Sequence, residues 1–134
     1  MIYLLDVNAL VALGFANHEF HDRVASWIQA ESSSVLATCS ITELGFVRVL
    51  AQATAYGFTV TQARLLLVRL KKVAGSRLTF FPDEHDISYL PAWVKTAKQI
   101  TDGHLSKLAN ANGGVLATLD GKIPGSHFIP ILAG

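Results

Sequence analysis

The sequence predicts an α/β fold, a three-layer sandwich with helices on both faces of a central parallel sheet of four to five strands. Three observations carry that expectation. Short apolar runs alternate with segments of helical spacing, as in a parallel sheet with crossover helices. Of the 134 residues, 51% are hydrophobic and only 16% charged, which suits strands covered on both faces. Two of the apolar runs, Ile2-Tyr3-Leu4-Leu5 and Gly114-Val115-Leu116-Ala117-Thr118-Leu119, each lead straight into a lone carboxylate, Asp6 and Asp120. An ionised acid at a core edge is costly unless something positive meets it. Ligand sites in open α/β sheets lie just beyond the carboxyl ends of the strands. An acidic, metal-binding site at one sheet edge is therefore expected.

The elements follow in order. The first strand begins almost at Met1, and Asn8 is placed to cap a short helix through Ala16, broken by Asn17-His18. Phe20, Val24, Trp27 and Ile28 then fall on one face of an amphipathic helix, with Asp22, Arg23 and Gln29 off the stripe. After the turn Ser32-Ser33-Ser34, Val35 to Cys39 reads as strand two. Ser40 opens a third helix carrying Leu44, Val47 and Leu50. Thr59-x-x-Gln62 has the form of a capping box for a fourth, which carries Ala63, Leu66, Leu67 and Leu70 and closes at Gly75. Leu78 to Phe81 is strand three, stopped by Pro82. Between Asp83 and Ile100 the pattern is weak, and Pro91 is expected to start a short helix with Trp93, Val94 and Ala97. Thr101-Asp102 opens a helix with Leu105, Leu108 and Ala109 inside, closed by Asn112-Gly113-Gly114. Val115 to Leu119 is strand four, and Phe128 to Ile131 a short fifth strand.

A chain of this length is expected to form one domain, residues 1–134. A net charge of +1 gives no global pull toward nucleic acid. No apolar stretch approaches the ~20 residues of a membrane span, and no basic leader precedes the first strand. The only cysteine, Cys39, sits in a strand pattern without an internal partner, so a cytoplasmic protein with no membrane association is expected.

Four of the ten acids stand at element boundaries beside apolar runs: Asp6, Glu43, Asp102 and Asp120. Glu19, Asp22, Glu31, Asp83, Glu84 and Asp86 lie on polar helix faces or in turns, where solvation explains them. Each of the four also has a plain structural explanation. Asp6 can be a turn former, and Ser40-x-x-Glu43 fits a capping box. Asp102 suits the positive end of a helix, and Asp120-Gly121 is an ordinary turn pair. Their joint placement weighs the other way, because strands about 4.8 Å apart bring residues leaving neighbouring carboxyl ends together. Two like charges at 4 Å repel by about 4 kcal/mol at an effective dielectric of 20. Such a set either takes up protons or recruits a cation. Oxygen-only ligands favour Mg²⁺ or Mn²⁺, and no His/Cys cluster competes.

At these motifs the sequence resembles the PIN-domain ribonucleases, and within them the VapC-type toxins of bacterial toxin–antitoxin pairs. The likeness is carried by Leu4-Leu5-Asp6-Val7-Asn8-Ala9-Leu10, Cys39-Ser40-Ile41-Thr42-Glu43-Leu44-Gly45-Phe46, Thr101-Asp102-Gly103-His104-Leu105 and Leu116-Ala117-Thr118-Leu119-Asp120, in that order over essentially the whole chain. The resemblance implies a PIN-like sandwich whose acids Asp6, Glu43, Asp102 and Asp120 bind one or two Mg²⁺ or Mn²⁺ ions and hydrolyse RNA phosphodiesters. It places Asn8 and Thr118 in supporting positions, and implies a cognate antitoxin and a homodimer. Gly103 departs from the alanine of many relatives, and no further acid follows Asp120, where Gly121-Lys122 stands instead.

Other residues are given structural roles. His104 is read as a helix-surface histidine one turn from the site, and His18, His21, His85 and His127 share no spacing. Arg64, Arg69, Lys71, Lys72, Lys95, Lys98 and Lys107 read as solvated helix charges, and Trp27 and Trp93 as core. Two other functions compete. An aspartyl-phosphate phosphatase would want an acid two residues after Asp6, where Asn8 stands. A non-catalytic RNA- or protein-binding module would not need the acids. No Gly-x-Gly-x-x-Gly follows the first strand, which argues against a dinucleotide-binding role.

Overall fold

The computed structural model describes residues 1–132, apart from the side chain of Ser76. Five strands, β1 (Ile2–Leu5), β2 (Val35–Cys39), β3 (Leu78–Phe81), β4 (Val115–Thr118) and β5 (His127–Phe128), form one sheet in the order β3-β2-β1-β4-β5. Every pairing is parallel. The helices are α1 (Val7–Gly14), α2 (His21–Ala30), α3 (Ser40–Gln52), α4 (Val60–Ala74) and α5 (Ile100–Ala111). The three-layer sandwich expected from the alternation of apolar runs and helical spacing is present.

Strand alternation divides the core in two. Tyr3, Leu5, Leu36, Leu78 and Ala117 face one side and pack with Leu10, Val24, Phe46, Leu50 and Leu67 of α1 to α4. Leu4, Ala37, Cys39, Phe81 and Leu116 face the other and pack with Leu105, Leu108 and Ala109 of α5. This period-two segregation makes the strands apolar on both faces. Cys39 is buried and free, as expected. Among the described residues no helix is long and apolar enough to cross a membrane.

Several boundaries differ from the sequence expectation. Asp6, not Asn8, caps α1: its Oδ1 accepts from the Ala9 N–H at 2.8 Å, and the helix ends at Gly14 rather than Ala16. An aspartate directly ahead of the first turn reaches the free N–H groups that Asn8, already inside it, cannot. Cys39 and Thr42, not Ser40 and Glu43, form the box at the start of α3, with the Cys39 N–H donating to Thr42 Oγ1 at 3.0 Å. The Thr59–Gln62 box on α4 is present in both directions. Gly75 and Gly113 close α4 and α5 at φ +56° and +76°, where a Cβ would be strained.

No helix starts at Pro91. Residues Pro91 to Val94 make a single turn, with the Val94 N–H donating to the Pro91 carbonyl, and short 3-10 turns at Ile87–Tyr89 and Ala97–Gln99 flank it. Helix α5 begins at Ile100, one residue ahead of Thr101. Strand β4 stops at Thr118. The fifth strand is His127–Phe128 rather than Phe128 to Ile131, since Pro130 has no N–H to extend the ladder.

Candidate metal centre

The carboxyl ends of β1 and β4 lie side by side, with Leu5 opposite Ala117, and the Asp6 N–H continues the ladder to the Ala117 carbonyl. Alternation therefore turns Asp6 and Thr118 toward the α5 side of the sheet. Asp6 is buried at 7% exposure, and Thr118 is fully buried. Thr118 Oγ1 donates to Asp6 Oδ2 at 2.5 Å and accepts from the Asp120 N–H at 3.0 Å. One hydroxyl thus links two of the acids. Asp102 comes from the first turn of α5, which packs on β4 and β1.

Burial pushes the Asp6 carboxyl up to about 6, against the pull of its bonds from Thr118 and Ala9, and the charges of Asp102 and Asp120 raise it further. Asp102 is raised for the same reasons, burial first and then Asp120. Asp102 and Asp120 thus stand near enough to act on Asp6, and Asp120 on Asp102. Asp120 also keeps its turn role, its Oδ1 accepting from the Lys122 N–H at 2.9 Å.

Glu43 stands apart from them. Strand alternation sets Thr38 on the α1–α4 side, and its Oγ1 donates to Glu43 Oε2 at 2.6 Å. Lys71 of α4 reaches the same oxygen at 2.7 Å. Because Cys39 and Thr42 cap α3, Glu43 is not spent on capping, yet its carboxylate is held by a lysine. Among the described residues no three His, Cys, Asp or Glu side chains stand close enough to enclose an ion. The donor set is nonetheless one for a hard cation: oxygens only, three carboxylates mutually repelling, one of them buried. Mg²⁺ commonly keeps several waters and takes only one or two carboxylates, so a closed protein cage is not required.

Asn8 is exposed on α1 and lines a cleft of about 230 Å³ with His18, Phe20, Leu119 and Asp120. It is thus beside one acid of the group. On the other flank, a cleft of about 430 Å³ runs from Asp102 and Asp120 to Trp93 and Lys98.

Thr38 and Lys71 were not singled out from sequence as site residues. Thr38 carries a faint signal, a hydroxyl inside an otherwise apolar run. Lys71 carries none, being 28 residues from Glu43. Asp83 is not merely a solvated turn residue, nor His104 merely a surface one. His104 Nε2 and Asp83 Oδ2 pair at 2.5 Å, which joins α5 to the segment leaving β3, and Asp83 is lowered by His104 and by the His85 N–H despite its burial. Trp27 is core at 4% exposure. Trp93 is only partly so.

Comparison with known proteins gives the family of the chain. The PIN domain family matches residues 3–124. Ribonuclease VapC38 of Mycobacterium tuberculosis (strain ATCC 25618 / H37Rv) is 39% identical over 125 residues, covering 90% of this chain and 86% of the relative. Ribonuclease VapC39 of the same strain is 36% identical, covering 94% of each. Ribonuclease VapC29 is 36% identical, covering 95% and 92%. Among solved structures, VapBC2 from Rickettsia felis bound to a DNA fragment from their promoter aligns with a TM-score of 0.63 at 16% identity, over 96% of this chain and 97% of that one. That likeness speaks to the fold.

Proposed function

The chain belongs to the PIN-domain family, and from that premise we propose that it is an endoribonuclease of the VapC type, the toxin of a toxin–antitoxin pair. The observation that carries the reading is a buried Asp6 whose charge is raised in cost by Asp102 and Asp120 at the carboxyl edge of the sheet. Relatives named ribonucleases over nearly the whole chain support it. The cofactor of this reading is a divalent ion, Mg²⁺ or Mn²⁺, which Asp6, Asp102 and Asp120 would hold, in part through its waters. Glu43 is the proposed fourth acid, although here its Oε2 is taken by Thr38 and Lys71. When bound, the ion supplies positive charge that sharpens a water nucleophile and offsets the charge building on the phosphate.

The chain's own residues supply order. The Ala9 N–H and Thr118 hydroxyl fix both oxygens of Asp6, so the carboxylate does not turn away from the edge. Thr118 also holds the backbone of Asp120. Thr118 and, at the cleft mouth, Asn8 are the supporting residues. The substrate is RNA. A cognate antitoxin is the proposed protein partner, a homodimer the proposed oligomer, and the cytoplasm the proposed compartment.

The test is cleavage. Purified protein with Mg²⁺ or Mn²⁺ is expected to cut cellular RNA, EDTA to stop it, and Asp6→Asn to abolish cutting while circular dichroism shows a folded chain. Equal cutting by that variant ends the reading.

A further inference from the structure

We infer that the cleft beside Asp102 and Asp120 is a nucleotide subsite, in which one unpaired base of the substrate strand stacks on Trp93 while its phosphates meet Lys98 and Lys122. The inference deepens the ribonuclease reading and rests on it for the strand being RNA.

The cleft, about 430 Å³, is lined by Trp93, Thr96, Lys98, Asp102, Asp120 and Lys122. That volume falls in the range of small-ligand sites. It is continuous with the acids, so whatever fills it lies within reach of the proposed chemistry. Two of its walls are negative, yet neither Lys98 nor Lys122 forms an ion pair among the described residues, where the only ones join Lys71 to Glu43 and His104 to Asp83. Both lysines are exposed, and their charge is available to a ligand. Such an arrangement suits a ligand that carries negative charge at one point, toward the lysines, and an uncharged planar face at another, toward Trp93. A phosphodiester strand has that chemistry.

Trp93 supplies the stacking surface. One side of it packs against the core group that contains Leu4, Phe81, Leu105 and Leu116. The rest lines the cleft. An indole anchored in this way offers a base a fixed face, and every base has a π-face to place on it. The loop that presents it is braced. Gln99 Oε1 accepts from the Lys95 N–H at 2.7 Å and from the Thr96 N–H at 3.2 Å, closing the segment into α5. A duplex would not offer an unstacked base, so the subsite selects single-stranded segments. A basic protein partner is less well matched, since the two lysines would repel it.

The probe is a short unstructured RNA oligonucleotide with a fluorescent end label, titrated with the full chain in EDTA so that no cutting occurs. Anisotropy reports affinity, and tryptophan emission reports Trp93 against the buried Trp27. Trp93→Ala is expected to weaken binding about tenfold, Trp93→Phe to restore most of it, and binding to quench emission in the parent chain. Lys98→Ala with Lys122→Ala is expected to reduce the slope of log K against log salt by roughly 1.4, about 0.7 for each phosphate contact on a single strand. If Trp93→Ala fails to fold, Trp93→Phe, the lysine pair and the emission change still decide. Unchanged affinity and unchanged salt slope in folded variants, or equal binding of a duplex, overturn the subsite. Loss of binding in these variants alongside undiminished cutting by Asp6→Asn upholds the subsite and removes the ribonuclease mechanism, so the two failures are separable.

Discussion

Thr118 Oγ1 donates to Asp6 Oδ2 across a sequence separation of 112 residues, joining the ends of two neighbouring strands. The bond is buried, so its loss leaves a carboxylate oxygen without a partner where water does not compensate. Thr118→Val is expected to destabilise the fold by about 1–3 kcal/mol and to raise the Asp6 carboxyl above its present value of about 6. The acidic limb of the cleavage pH profile then moves to higher pH, and Thr118→Ser restores it. A valine variant with an unaltered profile contradicts the role given to this hydroxyl.

Asp6 also sets a pH dependence of stability. Its carboxyl sits at about 6 in the fold against an ordinary 3.8, so the folded chain holds the proton more tightly than the unfolded one. The stability from that proton is fully present below about pH 3.8 and is lost as pH rises through 6. A shift of this size corresponds to about 3 kcal/mol. In metal-free buffer Asp6→Asn is therefore expected to be more stable than the parent above pH 6 and to lack this part of the pH dependence. Urea titrations between pH 4 and 8 check it. A variant less stable than its parent at pH 7 would contradict the assignment of strain to this charge.

Lys71 occupies an oxygen that the proposed function assigns to an ion. The pair is partly exposed, at 37% and 21%, so its own worth is about 0–1 kcal/mol. Lys71→Met is expected to leave the melting temperature nearly unchanged and to tighten Mn²⁺ binding several-fold, since a competing positive charge has gone. Calorimetric titration measures both the affinity and its change. Weaker binding in this variant would show that Lys71 orients Glu43 for the ion rather than competing with it.

Gly103 has a packing reason. A Cβ there would collide with Val94 Cγ2 and lie 3.4 Å from Pro91 Cδ. Glycine to alanine in a helix interior ordinarily gains up to about 1 kcal/mol. Here the branched, stiff Val94 side chain stands in the way, and Gly103→Ala is expected to lower stability by about 1–3 kcal/mol. Combining it with Val94→Ala is expected to recover most of the loss. Thermal melts of the two single variants and the double variant test the coupling.

The fold was legible because its signal is local. Each of β1 to β4 is an apolar run long enough to cross the sheet, and the Thr59–Gln62 box and the glycine closing α5 are short-range chemistry. The placement of Asp6, Asp102 and Asp120 at one sheet edge is legible for a related reason: an acid at the end of an apolar run, or at a helix start beside it, has nowhere cheap to go. Spacing misplaces the caps of α1 and α3 because neighbouring polar residues compete for the same N–H groups, and it does not say which one wins. The segment from Pro82 to Gln99 was poorly read because it lacks periodicity; tertiary contacts such as Asp83 with His104 hold it. Glu43's partners were out of reach altogether, since Lys71 meets it only after α4 has packed on α3.

The most direct measurement of the central claim is Mn²⁺ titration of the purified chain, with free ion followed by electron paramagnetic resonance, beside Asp6→Asn, Asp102→Asn and Asp120→Asn. The parent is expected to bind, and each variant to lose most of that affinity while remaining folded. Four chains binding Mn²⁺ alike, or a parent that binds none, would mean that these carboxylates do not act together on an ion.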